Sequence, residues 1–136
     1  MIVVDTNVVA YLLLGGDKTP QARNVYRRDP EWIAPILWRS EFRSVLARYL
    51  RRGLMTLPDA LQFMRAAELL FQGREYHVES TQVLSLTAAS RCSAYDCEFV
   101  ALARELGVQL VTSDGGLLAE FTPPAVALDV FSSRVR

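Results

Sequence analysis

Short apolar runs alternate along this chain with stretches of helical period. Met1 to Asp5 is a β-branched run that ends at the polar triplet Asp5-Thr6-Asn7, as a buried strand does on entering a helix. Val8 to Leu14 predicts a short helix, capped by Thr6 or Asn7 and stopped by Gly15-Gly16. A second helix starts with Pro20 in its first turn and runs to Arg28. Trp32-Ile33-Ala34 predicts a strand closed by Pro35. From Ile36 to Arg52 the residues Trp38, Phe42, Val45, Leu46 and Tyr49 recur on one helical face, and Gly53 ends the segment. Pro58 to Phe71 repeats that pattern through Leu61, Met64 and Leu69.

Beyond Gly73 the pattern predicts a weak strand (75–78), a helix near 82–89 and a helix from Tyr95 to Leu106 that Gly107 stops. Val108 to Val111 is a clear strand; Thr112-Ser113-Asp114-Gly115-Gly116 and a short helix through Ala119 follow it. Ala125 to Val130, behind Pro123-Pro124, predicts a final edge strand. Strands alternating with helices predict an α/β fold, an open, mainly parallel sheet flanked by helices, forming one domain over residues 1–136. Sites in such sheets lie outside the carboxyl ends of the strands.

Composition narrows the function. The 136 residues are 51% hydrophobic and carry 15 Lys+Arg against 15 Asp+Glu, enough for a real core and too balanced for a protein that grips polyanions by bulk field. Asp5 stands where a secretory leader needs a basic start and a longer apolar run, and no later stretch is long and apolar enough for a membrane span, so a cytoplasmic protein is expected. His77 is the single histidine, and Cys92 and Cys97 lack the spacing of a zinc or redox half-site. Both cysteines are expected to be small buried thiols. Zinc chemistry and histidine-based triads are thereby disfavoured.

Four carboxylates carry the candidate chemistry. Asp5 and Asp114 stop at the ends of the two clearest strands, where a helix-cap or turn role is the simplest alternative. Asp96 fits a capping pattern with Ser93, yet lies three, four and seven positions before Phe99, Val100 and Ala103, on the inward stripe of its helix. Glu41 borders the Trp38/Phe42/Val45/Tyr49 stripe and is expected to look along the core, an exposed helix glutamate being the simplest alternative. In an open parallel sheet these positions converge on one crevice, and clustered carboxylates persist there when a cation neutralises them. All-oxygen donors select Mg²⁺ or Mn²⁺, and the matching chemistry is metal-assisted attack of water on a phosphate ester. Thr6, Asn7, Thr112 and Ser113 supply neutral hydrogen-bonding groups beside the acids.

The same residues resemble a known family. Val-Asp-Thr-Asn at the N-terminus, Ser40-Glu41-Phe42-Arg43-Ser44-Val45-Leu46, Tyr95-Asp96-Cys97-Glu98-Phe99-Val100 and Val111-Thr112-Ser113-Asp114-Gly115-Gly116 look like the four acidic motifs of PIN-domain ribonucleases, in order and over nearly the whole chain. At this size the chain resembles the VapC-type toxins of toxin-antitoxin pairs. The resemblance implies that Asp5, Glu41, Asp96 and Asp114 bind one or two Mg²⁺ or Mn²⁺ ions and cleave RNA, in a homodimer restrained by a small antitoxin protein. Glu98 stands where similar proteins commonly have an apolar or small residue; about 200° around the helix from Asp96, it is read as a first-turn acid outside the metal site.

Among the arginines, Arg39, Arg43, Arg48, Arg51 and Arg52 share one helix and read as a solvated face, while Arg91, just before the Asp96 motif, is the best candidate for a substrate contact. Tyr11, Leu12, Leu13 and the 57–70 helix are candidate association surfaces. Two other functions compete. A non-catalytic PIN-like RNA-binding or scaffold module would gain nothing from clustered like charge. A Mg-dependent phosphatase needs a lysine at the strand ends, and Lys18, the only lysine, is expected to lie away from them.

Overall fold

The computed structural model describes residues 1–134. Five strands, β1 (Ile2–Val4), β2 (Trp32–Pro35), β3 (Glu75–Tyr76), β4 (Leu110–Thr112) and β5 (Ala125–Ala127), form one sheet in the order β3-β2-β1-β4-β5. Every pairing is parallel, with Val3 opposite Ile33 on one side and Leu110 on the other. Helices cover both faces, so β1, β2 and β4 are buried at every residue and their apolar runs do not alternate. The chain builds β1, β2 and β3 outward in one direction, then returns to lay β4 and β5 on the other side of β1. That reversal opens a crevice beyond the carboxyl ends of β1 and β4.

The helices among the described residues are α1 (Thr6–Leu14), α2 (Thr19–Arg28), α3 (Trp38–Arg51), α4 (Leu57–Leu70), α5 (Ser80–Ala88), α6 (Ala94–Leu106), α7 (Gly115–Glu120) and α8 (Leu128–Ser133). None is long and apolar enough to cross a membrane. Helix α6 buries Phe99, Val100 and Ala103 against the sheet, and α3 buries Trp38, Phe42 and Leu46. The Trp38 ring lies 4.7 Å from Phe71 at the end of α4. Cys92 and Cys97 are free and buried, as their type predicts.

Two local expectations need correction. The last strand is only 125–127; the chain then turns into α8, because Leu128 and Phe131, three apart, are both buried at helical rather than strand spacing. Arg28 of α2 holds that helix by donating from Nη1 to the Phe131 carbonyl at 2.6 Å. Helix α1 is capped by Asp5, not by Thr6 or Asn7: its carboxylate accepts from the Thr6 backbone N–H at 2.8 Å, which leaves the Thr6 and Asn7 side chains for other partners.

Candidate active site

Asp5, Glu41, Asp96 and Asp114 line a single cleft of about 340 Å³, together with Thr6, Asn7, Ser44, Val45 and Arg48. Each acid comes from a different element, so local sequence alone cannot bring them together. Asp5 ends β1 and Asp114 follows β4, side by side at the topological switch. Asp114 caps α7 through Oδ1, which accepts from the Leu117 N–H at 3.0 Å. A Cβ on Gly116 would stand 3.1 Å from that oxygen, so glycine there leaves room for the carboxylate. Asp96 sits in the first turn of α6, where Ser93 Oγ accepts its backbone N–H at 3.1 Å and leaves its carboxylate free for the cleft. Glu41 arrives from the first turn of α3.

Neutral side chains fix the acids. The Thr112 hydroxyl donates to Asp5 Oδ2 at 2.7 Å and accepts from the Asp114 backbone N–H at 2.9 Å, tying the ends of β1 and β4 together. Thr6 Oγ1 donates to Glu41 Oε1 at 2.7 Å, and Asn7 Nδ2 reaches Asp5 Oδ2 at 3.4 Å. Asn7 Oδ1 is buried without a hydrogen-bond partner. Ser113 departs from this pattern: its hydroxyl pairs with Tyr11 at 2.9 Å and makes no hydrogen bond to any of the four acids among the described residues.

The electrostatics are those of a site short of positive charge. Burial pushes the Asp5 carboxyl up to about 7, with Glu41 and Asp96 adding repulsion while Thr112 and Thr6 pull it down. Glu41 is raised by burial and by the charges of Asp96 and Glu98; Asp96 is raised by burial and by Asp114. Among the described residues no ion pair neutralises any of the four. A hard divalent cation suits this all-oxygen donor set. As they stand, no three acid, histidine or cysteine side chains among the described residues form a group that holds a metal.

Four placements differ from expectation. Arg91 is turned away: its side chain is 94% exposed, pairs with Glu120 at 3.2 Å and does not line the cleft. Arg48 lines it instead, seven residues along α3 from Glu41 and therefore on the same face, a spacing that could have singled it out. Lys18 lies beside the strand ends, not away from them, in a cavity with Ser113 and Ala127 and 5.1 Å from the Tyr11 ring centre. None of the four acids lines that cavity, so Lys18 does not complete a phosphatase site. Arg39 is no part of a solvated face; it binds Glu75 and Glu68.

A parallel α/β sheet with carboxylates gathered at its switch point defines a class of proteins whose chemistry sits beyond the strand ends. The sequence model of the PIN domain matches residues 2–120, and the chain belongs to the PIN domain family. It is 25% identical over 123 residues to a protein named Ribonuclease VapC3 from Pyrobaculum aerophilum, spanning 88% of this chain and 94% of that one. Its fold is similar to a crystal structure of a Pyrobaculum aerophilum protein (TM-score 0.77, 18% identity, 96% of this chain and 92% of that one). It is also similar to a chain of a toxin-antitoxin complex from Klebsiella pneumoniae (TM-score 0.70, 15% identity, 94% and 98%).

Proposed function

We propose that this chain is a divalent-metal-dependent endoribonuclease and the toxin of a toxin-antitoxin pair. The observation that carries the reading is the cleft itself: four acids from four elements share it, three of them with raised pKa, and none is in an ion pair among the described residues. Asp5, Glu41, Asp96 and Asp114 are the residues to hold Mg²⁺ or Mn²⁺. When bound, such an ion supplies the Lewis-acid charge for attack of water on a phosphodiester. Thr112, Thr6 and Asn7 hold Asp5 and Glu41 in fixed rotamers, and Arg48 offers a guanidinium fork to a phosphate oxygen at the rim. The name of the Pyrobaculum relative supports ribonuclease activity, and the Klebsiella complex supports a small antitoxin as partner. Leu54, Leu57, Leu61 and Leu69, exposed on and beside α4, supply apolar surface for a homodimer or for that partner.

Total RNA incubated with the protein is the direct test. Cleavage is expected with Mg²⁺ or Mn²⁺, absent with EDTA, and lost in Asp96→Asn with an unchanged circular dichroism spectrum. Full cleavage by Asp96→Asn, or in EDTA, overturns the nuclease reading and leaves a PIN-like binding module as the alternative.

A further inference from the structure

Beside the acid cleft, on the same edge of the sheet, a second cavity of about 250 Å³ is lined by Ile36, His77, Val78, Ser80, Val83, Leu84 and Glu98. Ile36 follows β2 and His77 follows β3, so the cavity lies beyond the carboxyl ends of those strands as the acid cleft lies beyond those of β1 and β4. Helix α6 is common to both, placing Asp96 in the cleft and Glu98 in the cavity. Glu98 is half-buried and makes no hydrogen bond or ion pair among the described residues. Glu98 lines the cavity with Ile36, Val83 and Leu84 and has only water to donate to it, so its two carboxylate oxygens are open to a ligand that brings N–H groups.

The cavity suits one flat heterocycle better than a larger group, since pockets that enclose whole drug-sized molecules begin at about 300 Å³. Its apolar wall can take a ring face and the exposed His77 imidazole can stack on one, the usual way single-stranded RNA bases are held. Of the four RNA bases, guanine alone presents adjacent N1–H and N2–H donors, which match both oxygens of a carboxylate; uracil presents carbonyls on either side of its single N–H. We propose that this cavity is a base-recognition subsite in which Glu98 selects an unstacked guanine next to the phosphodiester lying in the acid cleft. The proposal rests on the nuclease reading for its substrate, RNA.

Two measurements separate the two ideas. Cleavage sites mapped on a randomised RNA pool are expected to show guanine enriched at one position flanking the cut. Glu98→Gln, which loses one acceptor oxygen, is expected to cut that enrichment about tenfold or more. Leu84→Trp, made at an exposed position that does not threaten folding, is expected to fill the cavity and abolish the preference. In parallel, fluorescence anisotropy of the wild-type protein with Ca²⁺ compares a uridine oligomer with the same oligomer carrying one guanosine. Cleavage without guanine preference, or with a preference that Glu98→Gln retains, overturns the subsite and leaves the nuclease intact. Equal loss of cleavage at all sequences in Glu98→Gln, with weaker Mn²⁺ binding, also overturns it by making Glu98 a metal ligand. Absence of any cleavage with a guanosine-dependent gain in binding that Glu98→Gln removes supports the subsite and overturns the nuclease.

Discussion

Asp5 shows how one side chain can serve the fold and strain it. Its Oδ1 caps α1 and its Oδ2 accepts from Thr112 and Asn7, yet burial and two neighbouring acids push its carboxyl up to about 7. A carboxyl raised in the folded state binds its proton more tightly there than in the unfolded chain, whose value is 3.8, so Asp5's contribution to folding stability is greatest at low pH and falls as pH rises toward 7. Glu41 and Asp96 are raised as well and act with the same sign. At about 1.4 kcal/mol per unit, the metal-free protein is expected to lose on the order of 1–3 kcal/mol between pH 5 and pH 8, read by urea denaturation in EDTA. Mg²⁺ or Mn²⁺ is expected to raise stability more at pH 8 than at pH 5, because the cation competes with protons. Equal metal-free stability at the two pH values would show that burial and mutual repulsion do not raise these acids.

Helix α3 brings Glu41 to the cleft only because its first turn is anchored elsewhere. Arg39 grips Glu75 of β3 through Nε and Nη2 at 2.6 and 2.8 Å and Glu68 of α4 through Nη1 at 2.6 Å, while Trp38 Nε1 donates to the same Glu75 at 2.8 Å. These bonds hold Glu75 below the usual carboxylate range, Arg39 being the main cause. Because the fork is bidentate and partly shielded from water, Glu75→Ala is expected to destabilise the fold by about 1–3 kcal/mol, visible as a lower urea midpoint. A change within a few tenths of a kcal/mol would reduce the network to an ordinary surface ion pair. The helical period of α3 was legible from Trp38, Phe42 and Leu46, but the role of Arg39 was not: its partners lie 29 and 36 residues away.

The family match ends at residue 120, whereas the sheet does not. Residues 125–127 pair with β4, and α8 packs on α2 through Arg28 and Phe131. Deleting everything after Glu120 is expected to strip the outer edge of β4 next to Asp114 and expose Leu110 and Val111, giving an aggregating protein on size-exclusion chromatography. A soluble truncated chain with unchanged helix content would show that β5 and α8 are dispensable additions. Charge belongs to the same level. With four acids committed to a cation, fifteen basic side chains face eleven acidic ones, so the neutral total conceals a modestly cationic surface around one acidic cleft.

Periodicity and strand composition by themselves determined the α/β class, the parallel sheet, the element order as far as β5 and the four acids that share the cleft, because burial imposes a spacing that a chain must write into its residues. The acids were legible since each interrupts an apolar pattern or ends one. Tertiary structure alone decided which polar neighbours matter: Arg48 enters the cleft and Arg91 leaves it, Ser113 turns to Tyr11, and Glu98 faces a cavity of its own. A side chain's partner across the fold is set by the packing of whole elements, and a polar residue at an element's end leaves no periodic trace of which way it turns.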